Sequence, residues 1–264
     1  MSAATIVPAR LGVRARAAAV LLLACSALGC PSATPTYVPK DASLRALPLY
    51  FYPASGAPRA VIVFFGNDVG FWKAHDELAR RFAAHGYDVI GVDVKQYING
   101  LPEDHAPRER AFQSSIDDVI ARSVRELRAE GLPLVIGGHS FGADLALWTA
   151  VHAPPARMVG VLALGPTERS HFYVTAYDRA NLGEPNEAGS FSVADQVHNV
   201  PSGVRIALLR GSHDRRIVFD SLFQVAGGGR LRYTRIPFAS HSLQSLTIAG
   251  PMAEGAVDWI LDGK

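Results

Sequence analysis

The stretch "LVIGGHSFGADLAL", residues 134–147, decides the fold. An apolar run ends at two glycines, Ser140 follows, and an alanine- and leucine-rich segment begins at once. Residues 138–142 read G-x-S-x-G, the pattern of a serine on a sharp turn between a buried strand and a buried helix. Glycines flank the serine at a spacing of two because the backbone is crowded there. The stretch therefore predicts a strand–turn–helix unit that exposes the serine hydroxyl above a sheet.

Short apolar runs on both sides extend this unit into a sheet. Continuous rather than alternating apolarity indicates strands buried on both faces, as in a parallel sheet. The runs are 60–65, 87–93, 132–138, 158–165, 204–211 and 231–237, with 47–53 expected at the edge. Helical patterns alternate with them at 71–86, 107–131, 142–153, 217–226 and 251–263. The alternation predicts a doubly wound, mostly parallel α/β sheet with helices on both faces. Together with the serine turn, it predicts an α/β-hydrolase fold.

One long segment, 166–203, has no clean period and is predicted to be an irregular insertion, which in a compact domain is usually functional or a lid. Its aromatic residues have two interpretations, an apolar mouth for an acyl or lipid substrate or simple packing of the insertion. These aromatics are Phe172, Tyr173, Tyr177 and Phe191. Arginines in and after the segment either meet a phosphate headgroup or are solvated. They are Arg169, Arg179, Arg215 and Arg216.

A serine nucleophile needs a base and an acid, which this fold supplies in the chain order serine, acid, histidine. Asp214 follows the run 204–211, and His241 follows the last run. We expect His241 to take the proton of Ser140 and Asp214 to orient the imidazole. Two alternatives stay open: Asp214 only caps the following helix, or Glu168 is the acid instead.

Two backbone N–H groups are expected to hold the negative oxygen of the reaction intermediate. One is that of Phe141, at the start of the nucleophile helix, and the other belongs to Asn67 or Asp68 in the loop 64–72. The two cysteines of the chain lie within its first 30 residues, so the body has no thiolate nucleophile and no cysteine-based metal site. The pattern predicts a serine hydrolase of ester or similar acyl bonds, with no cofactor and no metal.

The N-terminus has the features of a targeting segment. Arg10, Arg14 and Arg16 precede a short apolar run, 17–29, which ends at Cys30 in "SALGC". This pattern is typical of a bacterial lipoprotein signal, in which the cysteine is lipidated and becomes the first residue of the mature chain. The sequence therefore predicts a signal peptide over 1–29 and a lipid anchor on the periplasmic side of the cell envelope.

Alternatives to this processing stay open, namely lipidation at Cys25, ordinary cleavage near Ala33, or an uncleaved anchor. Residues 30–45 are predicted to be a tether rich in proline, serine and threonine, and 46–264 the catalytic domain. Without the three arginines of the signal segment, the rest of the chain has 23 of the 26 basic residues and all 24 acidic residues. The body thus lacks the basic footprint of a nucleic-acid-binding protein.

Several segments resemble the bacterial virulence protein family VirJ and the related C-terminal domain of AcvB, over roughly 55–264. "GGHSFGADLAL" resembles the G-x-SFGAD turn of that family, and "VIVFFGNDVGFW" with the later "YDVIGVDVKQY" resembles its first strands and loop. "LGPTERSHFYVTAYDRANLG", "ALLRGSHD" and "FASHSL" occupy the places of its later segments. The family's loop reads Asp-Gly-Gly-Trp, whereas Asp68 here is followed by Val-Gly-Phe-Trp.

The resemblance implies an α/β-hydrolase fold in which Ser140, Asp214 and His241 match the triad positions. It implies a structural role for Asp144 and a core or rim position for Tyr97. It also implies a periplasmic protein linked to type IV secretion and virulence, with aminoacylated phosphatidylglycerol as an expected substrate. The alternative is a non-catalytic periplasmic module that binds secretion-system proteins.

Overall fold

A seven-stranded sheet forms the centre of the molecule. The computed structural model describes residues 33–101, 105–175, 183–242 and 246–263, with the side chains of 105–107 and 246–248 excepted. The strands are β1 (Leu49–Tyr52), β2 (Ala60–Phe65), β3 (Tyr87–Val92), β4 (Leu134–His139), β5 (Met158–Leu164), β6 (Arg169–Ser170), β7 (Phe191–Ser192), β8 (Arg205–Gly211) and β9 (Leu231–Ile236). The sheet order is β1-β3-β2-β4-β5-β8-β9, and every pair in it is parallel except the antiparallel edge pair β1–β3.

Helices cover both faces of this sheet. They are α1 (Ala42–Arg45), α2 (Lys73–Ala84), α3 (Val94–Asn99), α4 (His105–Glu126), α5 (Phe141–His152), α6 (Val193–Asn199), α7 (Asp220–Gly227) and α8 (Leu246–Asp262), with 3₁₀ turns at Arg215–Phe219 and Gly228–Arg230. Alternate residues of β2 enter two separate apolar clusters, one shared with α4, α5 and α6 and the other with α2 and α8. This double burial explains why the strands are continuously apolar.

The prediction of an α/β-hydrolase fold is confirmed. Each predicted strand and helix is present, with bounds that differ by a few residues. The helix after the nucleophile turn is buried on all sides over residues 141–150, as its lack of a polar face indicates.

The insertion 166–203 is more regular than predicted. It contains the antiparallel pair β6–β7 and the two-turn helix α6, which Ser192 caps by accepting a hydrogen bond from the N–H of Asp195. Val193 and Val197, one turn apart, are fully buried in the core. Two-residue strands carry no readable period, so the sequence pattern does not reveal them.

The predicted tether is wrong for residues 33–45, which pack on the domain. The hydroxyl of Tyr37 donates to Glu126 Oε1 on α4 at 2.6 Å, and the N–H of Thr34 donates to Asp76 Oδ1 on α2 at 2.9 Å. Leu44 on α1 is 1% exposed and belongs to the core. The signal segment and Cys30 lie outside the described residues. Within those residues, no helix has both the length and the apolar character needed to cross a membrane.

Candidate active site

Ser140 lies on a tight turn between β4 and α5, at the carboxyl edge of the sheet. Its φ of 54° and ψ of −122° form a conformation that L-residues rarely adopt, and its N–H donates to the carbonyl oxygen of Leu164 at 2.8 Å. A Cβ atom on Gly138 would overlap the carbonyl of Gly142, and one on Gly142 would overlap that of Gly66. The two glycines of the motif are therefore required by close approach of the backbone.

A chain of hydrogen bonds joins Ser140 to a histidine and an aspartate from later loops. Ser140 Oγ lies 2.8 Å from His241 Nε2, and His241 Nδ1 lies 2.9 Å from Asp214 Oδ2. His241 follows β9, and Asp214 follows β8. The structure thus brings together the three side chains that chain order indicates, at the edge where parallel strands of this kind bind ligands.

Asp214 uses both of its carboxylate oxygens. Oδ2 contacts His241, while Oδ1 accepts the N–H of Arg216 at 2.9 Å and caps the 3₁₀ turn that follows. Capping and orientation of the imidazole are therefore combined in one residue rather than being alternatives. The structure places Asp214, and not the alternative acid Glu168, in contact with the Nδ1 atom of His241.

A buried arginine that sequence reasoning missed supports this aspartate. Arg210 is 0% exposed, and its Nη1 and Nε atoms donate to Asp214 Oδ2 and Asp220 Oδ1, each at 2.9 Å. Tyr233 donates to the other oxygen of Asp220 at 2.6 Å. Burial opposes ionisation of Asp214, but the hydrogen bond and charge of His241 and the charge of Arg210 lower its pKa below the ordinary range. The sequence feature that could have revealed this pair is an arginine inside the apolar run 204–211, because a buried charge needs a partner of opposite charge.

The predicted oxyanion donors lie on the same cavity as Ser140. Phe141 is the first residue of α5, where an N–H has no acceptor within the helix. Asn67 also lines the cavity, in a turn closed by a hydrogen bond from the N–H of Gly70 to the carbonyl of Asn67 at 3.0 Å. The close approach of Gly66 to Gly142 holds this loop against the start of α5.

The cavity above Ser140 has a volume of about 460 Å³ and is walled in part by the insertion. Tyr173 lines it, whereas Phe172 is buried among Phe112 and Trp148, and Phe191 packs beside it. Of the described aromatic residues, Tyr173 thus forms part of the cavity wall, and Phe172 and Phe191 pack in or against the core. Tyr177 lies outside the described residues.

Charged side chains also line this cavity. Arg216 pairs with Glu184 at 2.9 Å, and Arg169 donates to the carbonyl of Pro185 and to Ser190. Arg215 is exposed and Asp68 half-buried. Neither of these two makes a hydrogen bond or ion pair with another described residue, so they are available to a ligand. Arg179 falls in a range that the structure does not describe.

Two residues that the family resemblance indicates have structural contacts. Asp144 on α5 is fully buried and contacts the N–H and hydroxyl of Thr167. Tyr97 is 7% exposed and donates to Ser115 Oγ at 2.7 Å. Over the part of the chain that the structure describes, no group of three or more histidine, cysteine, aspartate or glutamate side chains is arranged to hold a metal ion.

Comparison with protein families identifies this chain by sequence. The profile of the family described as bacterial virulence protein (VirJ) matches residues 59–216, more than half of the chain. The chain belongs to the VirJ family. No functionally curated protein matches it in sequence.

Solved structures place this VirJ-family chain among α/β-hydrolases by fold. MenH from S. aureus is 13% identical with a TM-score of 0.58, over 81% of this chain and 99% of that one. A soluble variant of monoglyceride lipase from Saccharomyces cerevisiae is 15% identical with a TM-score of 0.57, over 80% and 89%. The esterase domain of a Rhodothermus marinus protein is 16% identical with a TM-score of 0.55, over 80% and 90%. At such identities the likeness concerns the fold.

Proposed function

We propose that this VirJ-family protein is a serine hydrolase that cleaves an ester or similar acyl bond. The observation that carries the proposal is the unbroken chain of contacts, 2.8 Å from Ser140 to His241 and 2.9 Å from His241 to Asp214. These are the distances over which a base takes the proton of a nucleophile and a carboxylate orients that base. An esterase domain and a monoglyceride lipase are among the solved structures of similar fold, which supports this reaction class.

The proposed reaction has two halves. Ser140 Oγ attacks the acyl carbon while its proton passes to His241 Nε2, and Asp214 stabilises the imidazolium that forms. The N–H groups of Phe141 and Asn67 hold the negative oxygen of the tetrahedral intermediate. His241 then protonates the leaving alcohol, and water releases the acyl group from Ser140 in the reverse sequence of proton transfers.

Covalent labelling tests this reaction. A fluorophosphonate probe should label the folded wild-type protein and should not label Ser140→Ala. The matched control is Ser242→Ala, because this serine lines the same cavity but its hydroxyl hydrogen-bonds to Ser240 Oγ rather than to His241. Loss of Ser140 or His241 should lower the rate of ester hydrolysis by about 10⁴–10⁶, and the double change should be no worse. A folded wild type that resists the probe would instead favour a non-catalytic binding module.

For the substrate, we propose an aminoacylated phospholipid. Such an ester carries an ammonium group on its acyl side and a phosphate on its alcohol side. Asp68 and Arg215 have opposite charges, both line the cavity, and neither has a partner among the described residues, which supports recognition of both groups.

The test compares charged and neutral esters. Asp68→Asn and Arg215→Gln should each lower kcat/KM for aminoacyl-phosphatidylglycerol in vesicles by about tenfold, which corresponds to about 1.4 kcal/mol. A short neutral ester serves as the internal control and should be hydrolysed at an unchanged rate. Equal losses on both substrates would contradict recognition of charge.

We also propose that the protein is anchored by a lipid on Cys30 in the cell envelope, where this substrate is present. The apolar run before "SALGC" and its three preceding arginines support the anchor. Metabolic labelling with an alkyne fatty acid should mark wild type and Cys25→Ala but not Cys30→Ala. Label that survives in Cys30→Ala would contradict this site.

A further inference from the structure

Two buried histidines stand next to the nucleophile and have no part in the proposed reaction. His139 precedes Ser140 at the end of β4 and is 1% exposed, and His75 on α2 is 0% exposed. His75 Nε2 lies 3.1 Å from His139 Nδ1, and His139 Nε2 lies 3.1 Å from the main-chain oxygen of His241. The main-chain N–H of Trp72 donates to His75 Nδ1 at 3.3 Å. Four residues thus form one chain of contacts that ends on the main chain of His241.

The direction of this chain follows from its last contact. A carbonyl oxygen only accepts, so His139 Nε2 carries a proton. A neutral ring then accepts at Nδ1, which requires His75 to donate from Nε2 and leaves its own Nδ1 to accept from Trp72. One tautomer of each ring therefore satisfies these three contacts. Burial lowers the pKa of His139 to about 4, and the charge of His241 acts in the same direction, which agrees with a neutral ring.

The contact with His139 joins the loop of the proposed base to the strand of the nucleophile. Residues 237–242 are named the histidine loop. Its other main-chain hydrogen bonds go to the loop after β8, from His213 N–H to the Ala239 oxygen and from Phe238 N–H to Ser212 Oγ, each at 2.9 Å. Phe238 has a φ of 59°, so the loop contains a strained residue. A bond from His139 to the main chain of His241 fixes the loop relative to Ser140, the very next residue.

We propose that His139, with its tautomer set by His75, is a positioning residue that keeps His241 at hydrogen-bonding distance from Ser140. The proposal rests on the proposed serine hydrolase function. The groups that face His139 are His75 on α2, His241 on its loop and the carboxylate of Asp214 nearby. A neutral His139 supplies its N–H to the main chain without placing a second positive charge beside the imidazolium that His241 becomes.

Substitution of His139 separates positioning from packing. His139→Leu removes the donor and should lower kcat by about 10- to 100-fold, with KM within twofold, because small displacements of a catalytic group have effects of this size. His139→Gln should recover most of kcat, since an amide can donate to the His241 oxygen and accept from His75. Rates are expressed per folded molecule, from active-site titration with the phosphonate probe.

The matched control is His85→Gln, at the residue that directly follows α2, the helix of His75. His85 also makes one polar contact, with Asp258 at 3.0 Å, but it lies outside the chain of contacts, and its replacement should leave kcat unchanged. If His139→Leu does not fold, His75→Phe, which removes the donor to His139 without touching the loop, should still lower kcat more than His85→Gln does. Unchanged kcat in His139→Leu, or equal losses in the Leu and Gln variants, would overturn the proposal.

The tautomers provide a readout that is independent of activity. Imidazole ¹⁵N shifts of the wild-type protein should show both His75 and His139 as neutral rings protonated at Nε2. A ring of His139 protonated at Nδ1 alone would overturn the positioning role, whether or not the protein is a hydrolase. If the expected tautomers are found in a wild type that neither hydrolyses esters nor reacts with the probe, the positioning of His241 stands and the proposed function fails.

Discussion

Arg210 is a buried charge in the proposed site that sequence reasoning missed. It bridges two buried carboxylates, Asp214 and Asp220, which are each 3% exposed. Its Nη2 atom has no partner among the described residues, so two of its nitrogens make these contacts. The arginine thereby ties the acid of the proposed triad to the start of α7.

Replacement of Arg210 is predicted to be costly for stability. Arg210→Met keeps the volume but leaves two buried carboxylates without their cation, and should lower the free energy of unfolding by about 3–5 kcal/mol. Arg210→Lys keeps the charge but loses the planar fork that reaches both carboxylates, so it should recover only part of the loss. Urea unfolding at pH 7 measures both variants. The control is Arg122→Met, an arginine on α4 that pairs with exposed Asp118. A loss no larger than in this control would contradict the role assigned to Arg210.

The residues that the sequence reveals are those that a motif or chain order marks. Ser140 has a turn pattern, and Asp214 and His241 follow strands in the order that the fold requires. His139 and His75 have no such mark, because only the folded chain brings α2 beside the end of β4. Sequence reasoning therefore found the proposed nucleophile, base and acid but not the side chains that hold them.

At the scale of elements, the sheet was predictable. Helices cover both of its faces, so its strands are continuous apolar runs, and glycines mark where helices end. The two misjudged segments have weak local patterns. The insertion 166–203 folds through β6, β7 and α6, and the segment 33–45 folds through contacts with α2 and α4 that are distant in sequence. Local composition indicates a polar, proline-containing stretch, and tertiary contacts override it.

The packed segment 33–45 yields a prediction with an internal control. Leu44→Ala should lower the free energy of unfolding by about 2–4 kcal/mol, because this side chain is 1% exposed in the core. Val38→Ala lies in the same segment but is 70% exposed, and should change stability by less than about 0.5 kcal/mol. Urea unfolding compares the two. Equal, small effects would mean that 33–45 does not unfold together with the domain.

For the whole molecule, a parallel sheet gathers distant residues at one edge. Asn67, Ser140, Asp214 and His241 each follow a different strand, and the carboxyl ends of β2, β4, β8 and β9 meet there. The same packing buries several ionisable groups whose protonation contributes to stability in opposite directions.

Asp144 is the buried acid among these groups. Thr167 Oγ1 lies 2.6 Å from Asp144 Oδ2 and 2.7 Å from the main-chain oxygen of Arg169. Thr167 Oγ1 is the donor in both contacts but has only one proton, so the carboxylate of Asp144 and the carbonyl of Arg169 compete for it. Burial raises the pKa of Asp144 to about 7, although the hydrogen bonds from Thr167 act in the opposite direction.

The signs of the pH effects follow from linkage. The pKa of Asp144 is raised above its unfolded value near 4, so its contribution to stability is present below pH 4 and is lost as pH rises through 7. The pKa of His139 is lowered to about 4, so its contribution is present above pH 6.5 and is lost as pH falls toward 4. Each amounts to about 3–4 kcal/mol, and over pH 4–7 the two nearly cancel.

A neutral amide at residue 144 should reveal how much Asp144 contributes to the pH dependence of the free energy of unfolding. In Asp144→Asn, the amide can donate to the hydroxyl of Thr167 and accept from its N–H, and it has no charge to gain. The stability of this variant relative to wild type should therefore increase by about 4 kcal/mol between pH 4 and pH 8, most steeply below pH 7. Urea unfolding across this range measures the difference, with Asp117→Asn on the exposed side of α4 as a control of constant offset. A constant offset for Asp144→Asn as well would show that Asp144 is ionised throughout, and that the hydroxyl of Thr167 gives its proton to the carboxylate rather than to Arg169.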